Sequence, residues 1–83
     1  MNITIKLYAL LSGYLPKGAE KNAAPMDIGA GQTLGGVMSQ LALPEAMCHL
    51  VLINGAYVAP GERATRELND GDTVAIWPPV AGG

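Results

Sequence analysis

The chain has 83 residues, 49% hydrophobic and 14% charged, with a formal net charge of −2. That length limits it to one domain, residues 1–83, around one small core. Its five basic residues, Lys6, Lys17, Lys21, Arg63 and Arg66, form no patch, which argues against nucleic acid, and no apolar run is long enough to cross a bilayer.

Residues 2–8 alternate, with Ile3, Ile5 and Leu7 on one face and Thr4, Lys6 and Tyr8 on the other, as in a half-buried strand. Residues 9–25 are irregular. Ala9-Leu10-Leu11 allows a helical turn before Gly13, while Pro16, Gly18 and Pro25 break anything longer. Met26, Ile28 and Ala30 alternate with Asp27, Gly29 and Gly31, which predicts a short second strand pairing back on the first. Thr33 is placed to cap a helix, and Leu34, Val37, Met38 and Leu41 follow as one apolar stripe. Gly35 and Gly36 weaken that helix by roughly 1 kcal/mol each relative to alanine, and Pro44 ends it.

The run His49-Leu50-Val51-Leu52-Ile53 is apolar on both faces and predicts a central strand. Asn54-Gly55 marks a tight turn, Tyr57-Val58 a short strand, and Pro60-Gly61 and Asn69-Asp70-Gly71-Asp72 further turns before a last strand, Thr73 to Trp77. Strand, strand, helix, strand, short strand, strand makes an α+β domain. A β-grasp arrangement fits this order: a mixed sheet of four to five strands packed on one main helix, with the first and last strands parallel at the centre.

Past Trp77 the chain reads Pro78-Pro79-Val80-Ala81-Gly82-Gly83. Proline lacks an N–H and cannot extend a ladder, and the residue before a proline is held extended. Glycine passes where no other residue fits. Residues 78–83 are therefore expected to form an extended tail with a slim tip ending in the Gly83 carboxylate.

The segment Leu68 to Gly83 strongly resembles the C-terminus of the ubiquitin-like MoaD/ThiS sulfur carriers, and within them the small subunit of molybdopterin synthase. Element order, length and the Asn54-Gly55 turn agree with that family. Trp77 stands where the family more often has phenylalanine, and the first loop, Leu7 to Pro16, lacks the charged residues common after the first strand in molybdopterin members.

The resemblance implies a carrier rather than an enzyme. An E1-like activating enzyme would adenylate Gly83 with ATP, a sulfur donor would replace AMP to leave a thiocarboxylate, and the tail would enter the large subunit of molybdopterin synthase to deliver sulfur. Pro78, Pro79, Val80, Ala81 and Gly82 would present Gly83 to these partners. No cofactor and no metal would be bound directly. Carriage for thiamine, tungsten-pterin or amino-acid (cysteine) synthesis, attachment of Gly83 to lysines as a protein modifier, and an inert tail on a binding module remain open. Met1-Asn2-Ile3-Thr4 lacks a signal-peptide pattern, so the expected location is cytoplasmic.

The chain has no phenylalanine; its aromatics are Tyr8, Tyr14, Tyr57 and Trp77, all with a polar handle that suits surfaces buried on binding. Tyr8, Tyr57 and Trp77 are expected to form one exposed patch beside the tail that docks both partners. Cys48 and His49, adjacent on an extended chain, point apart and make no nucleophile–base pair. The glycines at 29, 31, 35 and 36 are followed by no Lys-Ser/Thr and spell no phosphate loop. Asp70-Gly71-Asp72 is read as a turn rather than a calcium site. Glu62, Glu67, Asp70 and Asp72 are read as a solvated face.

Overall fold

The computed structural model describes residues 1–79; the tail residues Val80, Ala81, Gly82 and Gly83 lie outside it. Five strands form one mixed sheet: β1 (Asn2–Leu7), β2 (Ala23–Asp27), β3 (Leu50–Ile53), β4 (Ala56–Tyr57) and β5 (Thr73–Trp77), in the order β2-β1-β5-β3-β4. β1 and β5 are parallel, and the other neighbours are antiparallel. One helix, α1 (Leu34–Gln40), crosses one face, and 3₁₀ turns span Ala9–Tyr14, Glu45–Met47 and Pro60–Glu62. The fold is a ubiquitin-like β-grasp.

The inward alternation of β1 (Ile3, Ile5, Leu7) meets Val74 and Ile76 of β5, Val51 and Ile53 of β3, and Met26 of β2. Leu34 and Val37 of α1, Leu11, Val58 and Leu68 close the same core. Aliphatic side chains, methionine and one cysteine fill it, with no buried aromatic ring.

The second strand lies earlier than its sequence pattern suggests, at Ala23–Asp27, and contains Pro25. Leu7 N–H donates to Asn22 O and Ile28 N–H to Met1 O. Odd-numbered β1 residues thus carry the ladder bonds to β2, and Pro25, opposite the even-numbered Thr4, occupies a position whose N–H would point off the sheet edge. Its missing donor costs the ladder nothing.

β3 lies between β5 and β4, as an interior strand should, but only one of its two apolar faces is covered. β5 holds the middle of the sheet, and β3 stands one strand from the edge. The second apolar face of β3 is turned toward open surface, with Leu50 37% exposed and Leu52 half-buried. Asp72, expected on a solvated face, is instead buried, with 7% exposure. Its carboxylate accepts from Asn54 Nδ2 and from Asn69 N–H, each at 2.8 Å. It thereby ties the Asn54-Gly55 turn, where both φ angles are positive, to the turn that opens β5.

Thr33 caps α1 through its hydroxyl, which accepts from Gly36 N–H at 3.1 Å. Gly35 has a packing reason. Its N–H donates to Arg63 O at 2.8 Å, and a Cβ there would stand 2.9 Å from Ala64 Cα. Backbone lies against backbone, so nothing flexible can yield. Gly35→Ala is expected to lower stability by about 1–2 kcal/mol despite its better helix propensity, measured as the urea midpoint at unchanged slope.

Candidate functional site at the tail root

Because β1 and β5 are parallel, they finish at the same end of the sheet. Leu7 lies beside Ile76, and Tyr8 therefore emerges beside Trp77, from which the tail departs. Tyr8 N–H donates to Ile76 O at 3.2 Å. On the other side His49 N–H donates to Trp77 O at 3.0 Å. The last peptides of β5 are thus held from both neighbouring strands. The Tyr8 and Trp77 rings stack with centroids 4.3 Å apart and planes within 2°.

Ile76 points into the core, so Trp77 lies on the face of the sheet opposite α1. The register builds that face in two rows. Tyr8, Trp77 and Leu50 form the row nearest the tail, and Lys6, Ala75, Leu52 and Tyr57 the row behind it. Tyr57 is 59% exposed, whereas Tyr8 and Trp77 are half-buried. The three aromatics expected to form a patch share this face, but as a stacked pair and an outlying tyrosine joined by leucines. Pro78 is half-buried and Pro79 exposed.

Sequence reading missed Leu50, Leu52 and Leu10. The signal for the first two was the apolar run 49–53, which suits a strand whose second face awaits a partner as well as a central one. Leu10, in the 3₁₀ turn directly after Tyr8, is 80% exposed. It was hidden by an apparent helical turn, Ala9-Leu10-Leu11, of which only Leu11 is buried.

Among the described residues, Cys48 and His49 form no nucleophile–base pair beside this face. Cys48 is buried, and its Sγ lies 3.5 Å from Pro44 O. Burial pushes its thiol pKa up, against the opposing pull of the Arg63 charge. His49 is exposed, and Asp70 accepts from Asn2 N–H at 2.7 Å within its turn. Among the described residues no group of three potential metal ligands occurs, and no helix is long and apolar enough to cross a membrane. The best-formed cavity, about 230 Å³, lies on the helix side between α1 and residues 60–64, away from the tail root.

A family model described as the ThiS family matches residues 19–83. The chain belongs to the ThiS family of ubiquitin-like sulfur carriers. Solved structures share its fold. SAMP1 from Haloferax volcanii is 22% identical over the whole of both chains, with a TM-score of 0.70. Urm1 from Trypanosoma brucei is 20% identical over 99% of this chain and 95% of that one, with a TM-score of 0.69. The Helicobacter pylori complex of subunits 1 and 2 of molybdopterin-converting factor matches at 18% identity over the whole of both chains, with a TM-score of 0.59. No curated protein sequence matches the chain. The family match includes the whole of β5 and the segment beyond it, while Tyr8 lies outside the matched residues.

Proposed function

We propose that this ThiS-family protein is a sulfur carrier, with Gly83 as its reactive residue and the apolar sheet face as its docking surface. The observation that carries the reading is the convergence of β1 and β5 on one end of the sheet. It places an apolar face of Tyr8, Trp77, Leu50, Leu52 and Tyr57 directly beside the departure point of a Pro-Pro…Gly-Gly segment. A carboxylate is a poor electrophile. An E1-like partner would join Gly83 to AMP with loss of pyrophosphate, and a sulfur nucleophile would then displace AMP. This chain contributes the acyl group and its presentation; proton transfers and oxyanion stabilisation belong to the partners.

Molybdopterin synthesis is the favoured destination, because the Pro78-Pro79-Val80-Ala81-Gly82-Gly83 ending resembles the small subunit of its synthase. The Helicobacter pylori neighbour, seen with its subunit 2, supports a large-subunit partner of that kind. A second reading, attachment of Gly83 to lysines, is favoured by the fold shared with the protein named small archaeal modifier protein 1. Both begin with the same activated acyl group.

Intact mass tests the carrier reading. After incubation with ATP, a cognate activating enzyme and a sulfur source, the protein is expected to gain the mass of one oxygen-to-sulfur exchange at its C-terminus. No gain would reject carriage, and adducts that survive reducing, denaturing gels would favour the modifier. Trp77→Ala is expected to weaken partner binding by about 2 kcal/mol, some 30-fold in Kd, with the fold retained. Calorimetric titration reads the first and far-ultraviolet circular dichroism the second; an unfolded variant would refute Trp77 as a docking residue.

A further inference from the structure

We propose that the cavity between α1 and residues 60–64 binds a small free carboxylate with an apolar body, for which the buried Arg63 is the counter-charge. The cavity holds about 230 Å³. Met38, Leu43, Pro60 and Ala64 form its apolar wall, and Ser39, Glu45 and Arg63 bring its polar groups. Its walls are preformed, as a ligand site requires. On one side α1 ends at Ala42, whose φ of +58° is left-handed, a conformation that L-residues other than glycine avoid. Ala42 N–H donates to Ser39 O at 3.0 Å and Leu43 N–H to Met38 O at 3.1 Å, which folds Leu43 back beside Met38. On the other side Gly35 N–H donates to Arg63 O at 2.8 Å. A Cβ on Gly35 would stand 2.9 Å from Ala64 Cα, so the two walls already touch at their base and cannot close further.

Arg63 sets the ligand chemistry. Its side chain is 8% exposed, and no carboxylate among the described residues pairs with it. Three of its N–H groups are spent on the carbonyls of Val58, Cys48 and His49. That leaves one N–H on each terminal nitrogen without a partner among the described residues. Carbonyl dipoles offset part of a buried charge, and an anion would offset the rest. A carboxylate suits the planar fork, because its two oxygens accept from neighbouring N–H groups. Glu45 opposes an anion, but it is exposed and screened by water, whereas Arg63 acts from within the protein. The apolar wall calls for an apolar body on the same molecule. A free molecule fits better than an acidic protein segment, which would meet the exposed Glu45 and Glu62 together.

Benzoate, benzyl alcohol and benzylamine, similar in size and different in charge, test the site through ¹⁵N amide shifts of the full chain. Benzoate is expected to bind with a Kd of about 1 mM and to shift the amides of Gly35, Ser39 and Ala64 most. Benzyl alcohol should bind about tenfold more weakly, and benzylamine more weakly still. Glu45→Gln should tighten benzoate about twofold to threefold by removing a like charge at the rim. Ser39→Phe, at an exposed helix position, should fill the cavity and abolish the shifts with circular dichroism unchanged; if it does not fold, Ala64→Phe replaces it. No shift at about 20 mM benzoate would overturn the site. Equal binding of benzoate and benzyl alcohol would remove Arg63 from recognition, and a preference for benzylamine that Glu45→Gln abolishes would make the ligand a cation. Benzoate shifts confined to the surroundings of Lys17 and Lys21, or persisting in the filled variant, would show adventitious binding only. A capped tripeptide with a central glutamate that binds more tightly than benzoate would overturn the free ligand in favour of a protein partner.

Discussion

Deletion of Gly83 is expected to abolish sulfur loading, by more than about 100-fold in kcat, while leaving the affinity for the activating enzyme within about threefold of the parent. The two halves of this expectation come from different parts of the molecule. On the proposed reading, affinity would come from the sheet face, where Tyr8, Trp77, Leu50, Leu52 and Tyr57 present apolar surface. The proposed reacting carboxylate is that of Gly83. Removing one residue withdraws that carboxylate by about 3.3 Å, far outside the tolerance of an in-line attack on a bound nucleotide.

The shortened protein should therefore act as a competitive inhibitor of loading of the parent. Adding Trp77→Ala to the deletion should weaken that inhibition by about the 30-fold expected for docking. Initial rates of pyrophosphate release at several inhibitor concentrations measure both effects. Full loading of the shortened protein would remove Gly83 from its role. Loss of inhibition by the deletion alone would move the docking energy from the sheet to the tail.

The Gly35 contact, the β2 shift and the Leu50–Leu52 face show where sequence reading reaches its limit. Period-two and helical patterns report local geometry, and they placed β1, α1, the Asn54-Gly55 turn and β5 correctly. The placement of β1 beside β5 follows from the β-grasp arrangement and not from these patterns alone. What they do not report is which strand ends up beside which edge. Pro25 was read as a breaker because a proline normally removes a ladder bond, and only the pairing of Thr4 with Pro25 shows that no bond was required there. The run 49–53, apolar on both faces, fits a central strand covered on both sides, yet Leu50 and Leu52 face outward. Their exposure follows from the helix covering only the other face of the sheet, where Val51 and Ile53 are buried. Asp72 was read with its acidic neighbours as solvated, although its two hydrogen bonds reach residues three and eighteen positions away. That Tyr8 and Trp77 are neighbours follows from the β-grasp arrangement, whereas their coplanar stacking depends on side-chain rotamers that no pattern encodes.

The other large effect is expected at Arg63, which sequence gave no reason to single out. Its side chain is only 8% exposed, yet no carboxylate among the described residues forms an ion pair with it. Nε donates to Val58 O at 3.3 Å, Nη1 to Cys48 O at 2.7 Å and Nη2 to His49 O at 3.3 Å. One guanidinium thereby satisfies carbonyls from the entry to β3 and the exit from β4, a geometry that a planar fork meets and an ammonium does not. Arg63→Ala would leave those carbonyls short of donors. The expected cost is about 3 kcal/mol or more, a large part of the roughly 4–12 kcal/mol typical for a chain of this size.

The melting temperature of Arg63→Ala should fall by about 12 °C or more, and Arg63→Lys should recover only part of the loss. The effect extends to the tail root, because the His49 carbonyl that accepts from Arg63 belongs to the residue whose N–H holds Trp77 O. In Arg63→Lys the His49 amide should exchange with solvent faster, relative to amides of β1, than in the parent. A melting temperature within about 3 °C of the parent in Arg63→Ala would mean that water replaces the guanidinium at no cost. Unchanged His49 exchange in Arg63→Lys would separate this arginine from the tail and leave it a purely local strut between β3 and β4.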